Sequence, residues 1–181
     1  MRIIKLLAVV FITIFLSLTC SSISLAQPYG KGIYNSDIPY GNQTSLTIST
    51  DGNVSISITP TTNGTTATGT SSVTVTSTDI MGYKLYIRGL DSTNMNNLGD
   101  LLPASLNSSP ATLATNTWGY NLDASGNFTG IKLTDTLIHS ISTPAKNSDI
   151  TNITYGAKID LAKPAGNYTT TIVYTAVPQT N

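Results

Sequence analysis

Apolar residues alternate with hydroxyl residues in run after run of this chain, and a period of two commits a segment to strand geometry. In "SLTIST" (45–50), Leu46 and Ile48 alternate with Ser and Thr. "SVTVTST" puts Val73 and Val75 on one face, and "GYKLYIRG" does the same with Tyr83, Leu85 and Ile87. "TWGYNL" groups Trp118, Tyr120 and Leu122, and "ITNITYGAKID" groups Ile153, Tyr155, Ala157 and Ile159. Composition supports the pattern. The chain has no glutamate, a favoured helix residue, and is crowded with Thr, Ile, Val and Tyr, which favour strands. The expected class is all-β, an immunoglobulin-like or jelly-roll β-sandwich of roughly seven to ten short antiparallel strands, following an N-terminal signal peptide.

Turn residues punctuate these runs. Asp51-Gly52 predicts a hairpin joining Leu46 and Ile48 to Val54, Ile56 and Ile58. "TTNGTTATGT" (61–70) reads as a flexible loop. Residues 91–114 read as a long decorated loop with one helical turn near Leu98–Leu102, ended by Pro103 and Pro110. "DASGNFTG" is a turn, and "IKLTDTLIHSIS" a strand with a break. The last two alternating runs, the second carrying Tyr168, Thr170, Ile172 and Tyr174, are expected to pair across "LAKPAGN".

Residues 1–26 have the form of a secretory signal: a basic start, an apolar core from Leu6 to Leu18, and small residues at Ser24 and Ala26 before a cut at Gln27. An uncleaved anchor and a lipoprotein cut before Cys20 are the alternatives. Residues 27–43 form a Tyr/Pro/Gly-rich lead-in, 44–178 a single sandwich domain, and 179–181 a tail. The only cysteine is Cys20, inside the signal, so the domain relies on its core and has no disulfide.

Charge is sparse. Beyond residue 26 there are seven Lys or Arg and nine Asp, with no basic stripe, which argues against nucleic acid and, after signal cleavage, against membrane as a partner. His139 is the only histidine. Alternation turns its neighbours Ile138 and Ser140 the other way and makes it a surface or edge residue. A metal site needs further His, Cys or Glu, and a nucleophilic triad needs a serine in a matching motif; neither accompanies it. "DASGN" (Asp123–Asn127) spaces oxygen side chains as a calcium loop does but lacks the distant bidentate acid, and a turn accounts for it. Seven N-x-S/T sequons, at Asn42, Asn53, Asn63, Asn107, Asn127, Asn152 and Asn167, follow from so much Asn and Thr. The expectation is no enzyme, no catalytic or metal residue, and no cofactor.

Tyr83, Trp118, Tyr155 and Tyr174 fall in register with aliphatic neighbours and are expected in the core. Tyr29, Tyr34 and Tyr40 crowd the lead-in with no strand partner in view, so they either cover a sheet edge or contact a partner.

"STDIMGYKLYIRG" and "PAGNYTTTIVYTAVP" together resemble the two ends of the WxL-type cell-surface domain of Gram-positive bacteria. Tyr83-Lys84-Leu85 fills the first W-x-L position. Tyr174-Thr175-Ala176 fills the second, with Pro178 behind it. Tyrosine replaces both tryptophans and alanine the second leucine. "NTWGY" with the closing strand is also similar to small secreted β-sandwich proteins of candidate-phylum episymbiotic bacteria. The resemblance implies a β-sandwich held noncovalently at a cell wall, with Tyr83, Leu85, Tyr174 and Ala176 at the family's signature positions. No sorting motif, apolar tail or basic tail follows Tyr174 in the sequence, in keeping with noncovalent attachment.

Two functions are open on these residues. One is a secreted, surface-associated binding domain contacting a cell-wall polymer or a surface protein. The other is a structural subunit of a pilus or sheath assembled by strand exchange, with residues 27–43 as the donated segment. "GKGIYNSDIPYG" alternates poorly and Pro39 removes a ladder donor, which favours the binding domain.

Overall fold

A computed structural model describes residues 45–78 and 80–179. Among the described residues there are nine strands and no helix: β1 (Ser45–Thr50), β2 (Thr65–Thr78), β3 (Gly82–Gly89), β4 (Met95–Asn97), β5 (Asp100–Leu102), β6 (Thr117–Asn121), β7 (Thr136–Ile141), β8 (Asp149–Ile159) and β9 (Ile172–Gln179). They form a four-stranded sheet in the order β1-β2-β8-β6, a three-stranded sheet in the order β7-β3-β9, and the small β4-β5 pair. Every strand pairing is antiparallel.

The inner faces of the two larger sheets make one core, which is the sandwich arrangement the alternation predicts. Val73 and Val75 of β2, Ile153, Tyr155, Ala157 and Ile159 of β8, and Trp118 and Tyr120 of β6 are buried in it. Tyr83, Leu85 and Ile87 of β3 are buried with them, and Ile172, Tyr174 and Ala176 of β9 pack on at partial burial. Each fully buried aliphatic or aromatic side chain here contributes about 1.5–3 kcal/mol relative to exposure.

Three connections differ from the sequence expectation. Asp51-Gly52 is not a hairpin. β1 pairs with the second half of β2, from Ser45 opposite Thr78 to Thr50 opposite Val73. Asp51 then fastens to the next residues of β2: Ser71 Oγ donates to its Oδ1 at 2.7 Å and Ser72 N to its Oδ2 at 2.9 Å. Beyond it the chain lies over Gly69, where a Cβ would stand 2.7 Å from Val54 Cγ1 and 3.3 Å from Ser55 O. Val54, Ile56 and Ile58 are half-buried as their alternation requires, but residues 53–59 belong to no strand. The reversal comes at Thr61–Gly64, where Gly64 N donates to Thr61 O at 3.0 Å and Gly64 adopts φ +80°. Residues 65–70 are therefore strand, not flexible loop. Alternation reports which side chains are buried; it does not name the backbone's partner.

β8 and β9 do not pair with each other. β8 lies between β2 and β6, while β9 pairs with β3 in the other sheet. Leu98–Leu102 is not helical either. Residues 95–102 form the β4-β5 hairpin, with φ +50° at Leu98 and +106° at Gly99. Positive φ at both central residues is the turn that matches the twist of a two-residue hairpin.

Outside the main core, Phe128 covers the outer face of the larger sheet. Gly119 and Gly156 stand opposite each other on β6 and β8. A Cβ at Gly156 would lie 2.5 Å from the Phe128 ring. Gly156 leaves room for that ring, whereas at Gly119 a Cβ would stand 2.6 Å from Thr129 O.

Candidate functional site

The four signature-type positions come together on adjacent strands. Leu85 of β3 stands opposite Ala176 of β9, Tyr83 opposite Pro178, and Ile87 opposite Tyr174. Tyr83 and Leu85 are fully buried and Tyr174 and Ala176 pack against the same core. These side chains hold β3 and β9 against the larger sheet. The Tyr174 hydroxyl is hydrogen-bonded to that of Tyr155 on β8, which ties the two sheets through their interior. Burial first, and then its neighbour's hydroxyl, push the Tyr155 phenol far above its ordinary range. Tyr29, Tyr34 and Tyr40 lie outside the described residues.

His139 is not the isolated edge residue that strict alternation suggests. A bulge shifts the β3/β7 register between Leu85 and Tyr86, so His139 pairs with Leu85 and Leu137 with Tyr86, while Ile138 is the extra residue. Ile138 packs on the core, and His139 also lies on the inner side, where its ring centroid is 6.0 Å from that of Tyr83. His139 Nε2 and Asp149 Oδ2 are 2.8 Å apart, and the Tyr83 hydroxyl donates to the same Oδ2 at 2.8 Å. No sequence rule predicts this cluster, because Asp149 opens β8 in one sheet and its partners sit in the other. It cross-links the sheets and contains no nucleophilic serine. Burial, followed by the bond to Asp149 and its charge, raises the Tyr83 phenol well above its ordinary value, so it stays a donor.

Burial pushes the Asp149 carboxyl up, but the bonds from Tyr83 and His139, with the histidine's charge, outweigh it and hold the group below the ordinary carboxylate range. A carboxyl lowered in the folded state stabilises the fold above its unfolded pKa and loses that contribution as pH falls through the folded one. Between about pH 5 and pH 2, the unfolding free energy of wild type is therefore expected to fall more steeply than that of Asp149→Asn. Urea titrations across that range check it; equal slopes would mean that the carboxylate is not selectively stabilised.

Asp123 caps a turn. Ser125 N donates to its Oδ1 at 3.1 Å, and bonds from Ser125 lower its carboxyl below the ordinary value. Among the described residues, no group of three His, Cys, Asp or Glu is placed to hold a metal. The sequon residue Asn107 is a structural tie: its Nδ2 donates to the carbonyls of Ala111, Thr112 and Phe128.

The large apolar residues that the fold exposes are mostly leucines, with Ile48, Met81, Ile150 and Val177. The connections that follow β3 and β8, and the one that precedes β7, leave one end of the sandwich together. Trp118 at the start of β6 donates from Nε1 to Thr93 O at 3.0 Å, and Lys163 Nζ after β8 is bonded to Leu101 O. Leu90, Leu98, Leu101, Leu133 and Leu161 on these connections are all exposed. By contrast, no aromatic ring among the described residues is exposed: five are buried, and Tyr86, Tyr168 and Tyr174 are half-buried. Sequence reading placed candidate partner contacts on Tyr29, Tyr34 and Tyr40; the leucines of residues 91–114 carried no periodic signal that could single them out.

No protein-family model matches this chain, and a search of curated proteins finds no significant match.

Proposed function

We propose that this is a secreted, non-enzymatic β-sandwich that attaches noncovalently to a cell surface and presents one end of the sandwich to its partner. The observation that carries this is the exposed set of leucines on the connections at that end. Several large apolar side chains exposed at one end of a fold are costly to keep in water and mark a candidate contact site. The chemistry of the set favours a protein partner over a wall polymer. Glycans are gripped by flat aromatic rings and by hydrogen-bond donors, and the rings among the described residues are turned inward; branched aliphatic side chains fit apolar protein pockets instead. The resemblance to the WxL-type domain supports surface attachment in general and leaves the partner open.

Sedimentation tests the reading. The mature protein is expected to co-sediment saturably with intact cells of the producing organism and to turn over no substrate. Fractionation into medium, wall and membrane should place it in the medium and wall fractions. Ordered fibres of the purified protein, lost on deletion of residues 27–43, would establish the pilus or sheath subunit instead.

A further inference from the structure

The two larger sheets end in four edge strands, β1, β6, β7 and β9, and three of them are guarded. An open row of backbone N–H and C=O groups is a template for another chain, so folded proteins cover or disrupt it. β6 is covered: Trp118 donates to Pro103 O and accepts from Ser105 N, and the backbones of Tyr120 and Thr129 exchange two hydrogen bonds. β7 carries the bulge at Ile138. β9 carries Pro178, which has no N–H to donate.

β1 has no such device. Its six residues, Ser45–Thr50, include no charge and no proline. Just beyond it, Asp51 N donates to Ser72 O at 3.2 Å, which makes the odd-numbered residues of β1 the ones bonded to β2. Leu46, Ile48 and Thr50 therefore aim their backbone groups at the free side, where no strand among the described residues pairs with them. The side chains agree. Ile48 stands opposite Val75 on the core face, yet Val75 is 0% exposed and Ile48 40%, because no strand lies beyond it.

The pattern of this edge is its own complement. Ser45-Leu46-Thr47-Ile48-Ser49 reads hydroxyl, aliphatic, hydroxyl, aliphatic, hydroxyl in either direction. We propose that β1 is an interface for a second copy of this chain, whose own β1 adds antiparallel about a two-fold axis at Thr47. That register sets Leu46 opposite Ile48 of the other copy on the core face. On the outer face it sets Ser45 opposite Ser49 of the other copy, and Thr47 opposite its own counterpart. The aliphatic side chains leave water together, the hydroxyls meet hydroxyls, and backbone bonds continue the β1-β2-β8-β6 sheet through both copies. Charge permits the approach. β1 has none, and Asp51 turns its carboxylate back to Ser71 and Ser72 of β2. The symmetry singles out a second copy, since a two-fold pair requires it and a strand of another sequence does not. This pairing does not depend on what the leucine-bearing end contacts.

Sedimentation velocity of the mature protein over a concentration series tests the interface. Wild type is expected to pass from monomer to dimer. Thr47 is exposed on the outer face, so a charge there leaves the core alone and meets its own copy across the axis. Thr47→Lys and Thr47→Asp should each raise the dimer Kd roughly tenfold or more. Their circular dichroism and their Tm at monomeric concentration should match wild type. An equimolar mixture of the two variants should dimerise again. Thr68→Lys, exposed on the half of β2 that β1 does not reach, should dimerise as wild type does. Wild type that stays monomeric at every soluble concentration would overturn the interface. So would a dimer indifferent to both Thr47 charges, or assembly that grows past two copies. A mixture that binds no tighter than either variant alone would overturn the two-fold register at Thr47.

Discussion

Replacing Trp118 by alanine is expected to destabilise the protein by ~3–5 kcal/mol, the usual range for emptying a large aromatic site. The ring is 1% exposed and sits in the main core, opposite Ala157 on β8 and 6.4 Å, centroid to centroid, from the tilted ring of Tyr155. Its Nε1 also donates to Thr93 O, so the substitution removes the link between the core and the segment that carries the β4-β5 hairpin. Trp118 is the only tryptophan, so far-UV circular dichroism in urea is the suitable probe for both proteins. A lower midpoint at unchanged slope reports the loss as stability. A cost under ~1 kcal/mol would mean that the ring is not buried in the core.

Phe128→Ala should be of similar size, ~3–5 kcal/mol, although the residue lies outside the main cluster. Phe128 is 1% exposed, and its ring fills the space above Gly156. Gly156→Ala alone is expected to cost ~1–3 kcal/mol, because the new Cβ meets a ring that has nowhere to move. In the Phe128→Ala background that clash is gone, so the same Gly156→Ala change should cost much less. A double-mutant cycle measures the difference, with a coupling of about 0.5–3 kcal/mol anticipated for residues in direct contact. Strict additivity would remove the ring from its place over β8.

The remaining structural features divide by the kind of information they need. Side-chain alternation is local, and it sufficed for the all-β class, for the inward phase of β2, β3, β6 and β8, and for the burial of Tyr83, Trp118 and Tyr155. Even Val54, Ile56 and Ile58 have their expected burial, because facing the core depends only on the two-residue repeat. The sequence by itself thus determined what kind of layers form and which side chains line them.

Only the tertiary structure decided who pairs with whom. A strand's pattern is compatible with any partner of matching face, so nothing in residues 150–177 distinguishes a β8-β9 hairpin from the observed crossing between sheets. The Asp51-Gly52 signal for a turn was outweighed by three bonds from Asp51 to β2, formed with residues 20 and 21 positions away. The candidate sites depend on the same long-range geometry. His139 turns inward because a bulge adds Ile138, and it meets Asp149 because the two sheets bring β7 and the start of β8 together. Leu98 reaches the tip of a hairpin because loop 160–171 holds β4 from the side. Contacts between residues distant in the chain are set by the packing of whole layers, and no window of sequence contains that energy.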